Sequence, residues 1–387
     1  MTDLDPADLE ASTPDTVGML SAEDEAALDE AASLHGSALD ALSRGDTSQA
    51  LEEARRALAL AEKVYGGDHP DVANVLMVVG RAHHALSARA EAAYAFARAV
   101  RMLEPMADGD EDVDRLKVHA LQAVANLERE TGHFDAADKV MGRALAVAEA
   151  TLGEDDLDLA SLWNDLGLLR KEQGLYEQAE RSYNDALELY ERMLGVGHPD
   201  LAGLFTNIAG LEHARGRPEN AEGPARKAII LNAQTLGEEH PQLAIDRATL
   251  GAVLLDLGKI DEARALYEDS VAYLSQHLGY GHYETVTRRV DLATLLHKDG
   301  ELGKAEEMMS ESLARLEALL GERHPEVGQT RARLAKLVHD QGRFDEAVGL
   351  YQQALGVLLG SLGPDHPETR LCREQLSKLK PKSSKSP

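Results

Sequence analysis

Aromatic side chains are scarce in this 387-residue chain: 4% of the total, with one Trp and four Phe. Large rings cannot dominate its interior, so close packing through small residues is expected. Cysteine occurs once, at Cys372, which excludes an internal disulfide and any zinc site built on thiolates. A single thiol fits a reducing compartment. Basic charge is also in short supply. Forty Lys and Arg stand against 68 Asp and Glu, for a formal net charge of −28. Surfaces that grip nucleic acid or anionic lipid gain affinity by neutralising phosphate, so this balance argues against both as partners. It keeps a long surface in solution instead. No run approaches the roughly 18 apolar residues of a membrane span. The opening MTDLDPADLEASTPD has neither the basic nor the apolar stretch of a secretion signal. A cytoplasmic location is expected.

Sites of chemistry are missing too. There is no HExxH, CxxC or G-x-S-x-G, and the short GVG at 195–197 precedes no lysine-bearing phosphate loop. Cys372 has no evident base beside it. The expectation is no enzyme, no cofactor and no metal.

What the chain does have is a period. Gly132, Gly174, Gly216, Gly258, Gly300 and Gly342 stand 42 residues apart. Upstream, Ala88 takes the glycine's place and Gly45 precedes it by 43, so the spacing predicts eight units with turns near 45, 88, 132, 174, 216, 258, 300 and 342. Each turn follows an apolar helix-period segment such as SLWNDLGLLRKEQ, and a glycine just past a helix end reaches the left-handed conformation without strain. Five residues after each turn comes Ala: Ala50, Ala93, Ala137, Ala179, Ala221, Ala263, Ala305 and Ala347. Nine after it, in the later units, comes a larger residue such as Met141, Tyr183, Tyr267, Met309 or Tyr351, and seven before it a small one such as Ala125, Gly167, Gly251 or Ala335. These are helix–turn–helix hairpins with small residues where the helices cross; no 3.5-residue heptad crosses the glycines.

Hairpins are joined by LG..H connectors, with Pro after His at Pro70, Pro199, Pro241, Pro325 and Pro367. Proline at the first helical position is pre-set for helix. The histidines His69, His198, His240, His282, His324 and His366 recur at repeat spacing, which cannot converge on one ion, so they read as helix-start residues. The organisation expected is a disordered acidic lead over 1–21, a helical array over 22–365, a capping helix over 366–380 and a basic disordered tail over 381–387.

This pattern resembles the tetratricopeptide repeat (TPR), with Trp163, Leu166, Gly167, Ala179, Tyr183 and Ala186 in the repeat's positions. The 42-residue step with its LG..HP connector is similar to that of kinesin light chain. The coiled coil of kinesin light chain has no counterpart here, so motor transport is not implied. Arg247, Arg289 and Arg331 depart from the pattern where Trp163 and Phe205 stand, Pro218 follows the Gly216 turn, and Tyr283 stands where Pro is expected; these departures are expected to set repeats 5 to 8 apart as a segment with its own function. The resemblance implies an all-α fold: a right-handed α-α superhelix of about eight hairpins plus a C-terminal capping helix, first helices lining a concave groove. Positions 13, 10, 6 and 3 before each turn would face that groove. Over repeats 3 to 8 they include Arg129, Lys171 and Lys336, four His and no acid.

The function implied is a non-enzymatic protein-interaction scaffold or adaptor. It would bind an extended peptide or protein segment through Gln122, Asn126, Arg129, Asn164, Lys171, Thr206, Asn207, His213, His297, Lys336 and His339. The asparagines would bond the partner's backbone, and Arg129 and Lys171 would meet an acidic group. The alternatives are a peptide-signal sensor whose superhelix tightens on its ligand, and a regulatory subunit that binds a larger assembly over its convex face.

Overall fold

The computed structural model describes residues 20–106, 109–238 and 240–379; most of the expected acidic lead and all of the basic tail lie outside them. Among the described residues there are seventeen α-helices and no strand. They pair consecutively into eight antiparallel hairpins, followed by a single closing helix. None of these helices is long and apolar enough to cross a membrane.

The chain divides into two compact units, residues 1–106 and 107–387. The first contains α1 (Ala22–Ser43), α2 (Thr47–Tyr65), α3 (Pro70–Ala85) and α4 (Arg89–Leu103). Ser21 starts α1 by accepting the Asp24 amide at 3.1 Å, which satisfies one of the free N–H groups of the first turn. The second unit holds six hairpins: α5 (Glu111–Glu130) with α6 (Phe134–Thr151), α7 (Leu157–Glu172) with α8 (Tyr176–Leu194), and α9 (Ala202–Ala214) with α10 (Pro218–Leu236). Then come α11 (Pro241–Asp256) with α12 (Ile260–His277), α13 (Tyr283–Lys298) with α14 (Leu302–Leu320), and α15 (Pro325–Asp340) with α16 (Phe344–Ser361). The last helix, α17 (Pro367–Leu379), lays Cys372 and Leu376 against Tyr351, Ala354 and Leu358 and so covers the apolar end of the array.

In the second hairpin the structure departs from the sequence reading. The left-handed residue is Ser87, at φ +59, and not Ala88. The amide of Ala88 reaches back to the His83 carbonyl at 2.9 Å, the same closing bond that Leu175 makes to Arg170 and Lys259 to Leu254. The register therefore moves by one. The fully buried alanine is Ala92, while Ala93 is exposed. From Gly45 to Ser87 the step is 42 residues, and all the irregularity falls between Ser87 and Gly132, where the step is 45. That is the junction of the two units. There α4 is short at 15 residues, α5 is long at 20, and the LG..HP connector is missing.

Hairpin packing follows one rule. The residue seven before the turn lies under the residue nine after it. Where that second residue is an aromatic ring, the first is glycine in three of four hairpins. A Cβ on Gly80 would stand 2.3 Å from the Phe96 ring, and one on Gly167 would stand 2.5 Å from the Tyr183 ring. Ala125 and Ala293 sit in the same place beneath Met141 and Met309, which are flexible enough to accommodate a methyl. Scarce aromatics are thus matched by locally absent side chains.

Candidate functional site

Within residues 107–387, first helices approach one another directly, α5 to α7, α7 to α9, α9 to α11, α11 to α13 and α13 to α15, while successive second helices make no comparable approach. The face built by first helices is therefore the tighter, inner one. Its polar residues join in a ladder that steps from each repeat to the next.

Arg129 Nη1 donates to Glu172 Oε1 at 2.7 Å. His213 Nε2 lies 3.0 Å from Asp256 Oδ2, and His297 Nε2 lies 2.8 Å from Asp340 Oδ2. Each of these pairs joins a base three residues before one turn to an acid two residues before the next. Lys298 reaches Asp256 in the other direction at 2.7 Å. Asp256 is consequently held far below the usual carboxylate range, chiefly by the bond from His213. Higher on the same face, Asp165 accepts from Gln122 at 2.7 Å and from Asn126 at 2.6 Å, and Asn207 donates to Asn164 Oδ1 at 2.9 Å. Thr206 donates to Asp246, a carboxylate 1% exposed that also receives Asn232 at 2.6 Å and Gln242 at 3.1 Å. Thr206 is thus part of a buried network.

The inner face was expected to carry no acid, and the structure differs. The residues nine and two before the turns also remain open, and they include Asp165, Asp291, Glu172, Asp256 and Asp340. Ten before the turn, Ala248 and Val290 are buried instead. The open stripe is thus wider than the one expected, and only in α11 and α13 is the −10 position, Ala248 and Val290, turned into the packing. Most cations named from sequence have their charge matched by these acids.

Two do not. Lys336 is simply exposed. Lys171 is different. It is half-buried, its Nζ stands over the bare backbone of Gly210 at 3.3 Å from where a Cβ would be, and among the described residues no carboxylate lies within salt-bridge distance of it. Burial pulls its ammonium below the ordinary lysine range; Glu172 opposes that shift and Arg129 adds to it. His339 lies 3.2 Å from Asp340 and against the Phe344 ring.

The three departing arginines have structural partners. Arg247 pairs with Glu238 at 2.7 Å, Arg289 with Glu311 at 2.8 Å, and Arg331 with Glu317. Arg289 also lies over the Tyr280 ring. A guanidinium paired to a nearby carboxylate takes the place of the aromatic contact made by Phe205: Glu238 lies in the connector before α11, Glu311 on α14 of the same hairpin as Arg289, and Glu317 on α14 of the hairpin before Arg331. Tyr283, in the proline's place, donates to Glu326 Oε2 at 2.7 Å, and burial pushes that carboxyl up to about 7.

The connector histidines cap helices. In all six, Nδ1 accepts the amide two residues on: Asp71, Asp200, Gln242, Glu284, Glu326 and Glu368, at 3.1–3.3 Å. The ring does what a Ser or Asp side chain does at other helix starts.

The inner face and its hairpins define a helical-repeat scaffold. A sequence model of the tetratricopeptide repeat matches residues 29–104, 118–192, 200–276 and 285–359, and the chain belongs to the tetratricopeptide repeat family. No curated protein sequence matches it. Among solved structures it is similar to the Rap conjugation gene regulator of plasmid pLS20 in complex with the Phr* peptide. That match has 16% identity and a TM-score of 0.61, and covers 81% of this chain and 80% of that one. It is also similar to a Rap protein complexed with competence and sporulation factor, at 13% identity and a TM-score of 0.59, covering 91% and 100%. A protein of kinesin-light-chain type from P. anserina, built of nearly identical TPR-like repeats, matches at 21% identity over 54% of this chain and 98% of that one, with a TM-score of 0.40. At these identities the likeness is one of fold.

Proposed function

We propose that this protein is a non-enzymatic interaction scaffold, and that the inner face of residues 107–387 receives an extended peptide or protein segment carrying an acidic group. The observation that carries this reading is Lys171. In a row where Arg129, His213 and His297 each face a carboxylate, Lys171 faces none, and it is set over a glycine that leaves room beside it. Keeping a poorly hydrated ammonium unpaired costs stability, and an incoming carboxylate offsets that cost. Asn164, Asn207, Gln122 and Asn126 lie alongside to bond a peptide backbone. Arg129 contributes less than its charge suggests, because Glu172 already neutralises it. A fold shared with Rap proteins solved with a bound peptide and with competence and sporulation factor supports the same reading.

The test is an immobilised random-peptide array probed with the full chain and with Lys171→Glu. Selection of peptides bearing Asp, Glu or a free terminal carboxylate, lost on charge reversal, is the expected result. An identical peptide set for both proteins overturns the proposal.

A sensor, in which ligand alters how the array closes, is the second reading. It is favoured by the contacts described next.

A further inference from the structure

Two hydrogen bonds join parts of the second unit that are 194 residues apart in the chain. His324 Nε2 donates to the backbone oxygen of Glu130 at 3.0 Å, and His366 Nε2 donates to that of Glu172 at 3.0 Å. The second contact is the first moved one repeat along at both ends. In each, the following proline sits on the turn glycine: a Cβ on Gly132 would lie 2.8 Å from Pro325 Cδ, and one on Gly174 would lie 2.5 Å from Pro367 Cδ. Gly258, in the same place and at nearly the same φ, has nothing within 4 Å.

Each element of this contact has a chemical reason. Glu130 and Glu172 are the last residues of α5 and α7, so their carbonyls are helix-end acceptors. The rings of His324 and His366 already accept a helix-start amide at Nδ1. A neutral imidazole has one acceptor and one donor, so Nε2–H is the group left to bridge. The contact is narrow. Beside it lies an open cleft of about 750 Å³ lined by Glu128, His133, Arg323 and Pro325, not a packed interface. The same Glu130 and Glu172 hold their carboxylates around Arg129, at 3.5 and 2.7 Å, next to Lys171.

The geometry points to a two-point clasp: His324–Pro325 on Glu130–Gly132 and His366–Pro367 on Glu172–Gly174 hold residues 107–387 closed on themselves, and its release opens the inner face. The clasp stands whatever that face binds. That its release admits a segment rests on the function proposed above. Because Glu172 gives its carbonyl to the clasp and its carboxylate to the inner ladder, a guest that disturbs Arg129 or Glu172 acts on the clasp directly.

The experiment uses the full chain without ligand, so a failure here leaves peptide binding untouched. His324→Ser with His366→Ser keeps a helix-capping oxygen but removes the bridge. His198→Ser with His240→Ser is the control, at connector rings that cap their own helices. Small-angle scattering of the clasp variant is expected to show a larger radius of gyration at unchanged helix content. Deuterium uptake over residues 128–134 and 170–176 is expected to be about tenfold faster, as loss of two hydrogen bonds implies. A radius and an exchange pattern equal to the control's overturn the clasp. Should the serine variant lose helix, Gly174→Ala against Gly258→Ala decides. Both carry the same left-handed strain, but only the first meets a proline. Expansion in Gly174→Ala alone upholds the clasp, and equal behaviour overturns it.

Discussion

Arg129 Nη1 and Glu172 Oε1 lie 2.7 Å apart across a sequence step of 43 residues, and the same step separates His297 from Asp340. One repeat length plus one residue is the register in which neighbouring first helices meet. Pairs in this register are bonds between hairpins, so they bear on stacking and on the charge left for a partner.

A double-mutant cycle tests that register. Arg129→Met alone leaves Glu172 and Glu130 facing each other without a cation; Glu172→Met added to it removes half of that conflict. The double variant is expected to be more stable than the sum of the singles by about 1 kcal/mol in urea unfolding, since the pair is largely shielded from water. Additive losses would mean that the ladder does nothing for stacking.

Glu326 sets a pH dependence. Its carboxyl rises from 4.5 to about 7 because burial outweighs the Tyr283 hydroxyl, Arg288 and Arg333. The folded state therefore holds a proton that the unfolded state has released between those values. This contribution is fully present below 4.5 and is lost as pH rises through about 7. Glu326→Gln cannot ionise and still accepts from Tyr283. Its unfolding free energy relative to the parent, read from urea unfolding, is expected to climb between pH 5 and pH 8 by an amount on the order of 1–2 kcal/mol after discounting for partial exposure. A pH-independent difference would show that Glu326 titrates normally.

Helical glycines should respond in opposite directions. Gly167→Ala drives a methyl into the Tyr183 ring and is expected to cost about 1–3 kcal/mol. Gly142→Ala, in the exposed middle of α6 with nothing within 4 Å, is expected to stabilise by up to about 1 kcal/mol. Thermal unfolding of the two variants reads both signs.

Asp246 is the acceptor for three side chains at 1% exposure. Asp246→Ala strands Thr206, Asn232 and Gln242 and is expected to cost about 3 kcal/mol, with Thr206→Val costing about 1 kcal/mol. Peptide capture by Thr206→Val is expected to match the parent at equal folded concentration, which separates its structural role from binding.

The hairpins, their turns and their small-residue crossings were legible in the sequence because each repeat restates the same local requirements. Ser87 escaped because only a backbone conformation marks it, and alanine at position 88 fell one residue from the pattern. The acids of the inner face escaped because helix periodicity gives a stripe but not its width, which depends on how hairpins pack. The partners of Arg247, Arg289 and Arg331 lie 9, 22 and 14 residues away, in a connector, on the second helix of the same hairpin and on the preceding hairpin, and so outside the period of one helix. The pairing of His324 with Glu130 depends on how many repeats complete one circuit, a sum of small rotations that no single repeat displays.

The most direct measurement of the central claim is the affinity of the full chain for an array-selected peptide in two forms, one with its acidic group and one with the matching amide, each against parent, Lys171→Glu and Lys336→Glu. The account predicts that amidation of the peptide and reversal at Lys171 each weaken binding by about tenfold or more, while reversal at exposed Lys336 changes little. Equal affinity for both peptide forms, or an unchanged affinity in Lys171→Glu, would contradict it.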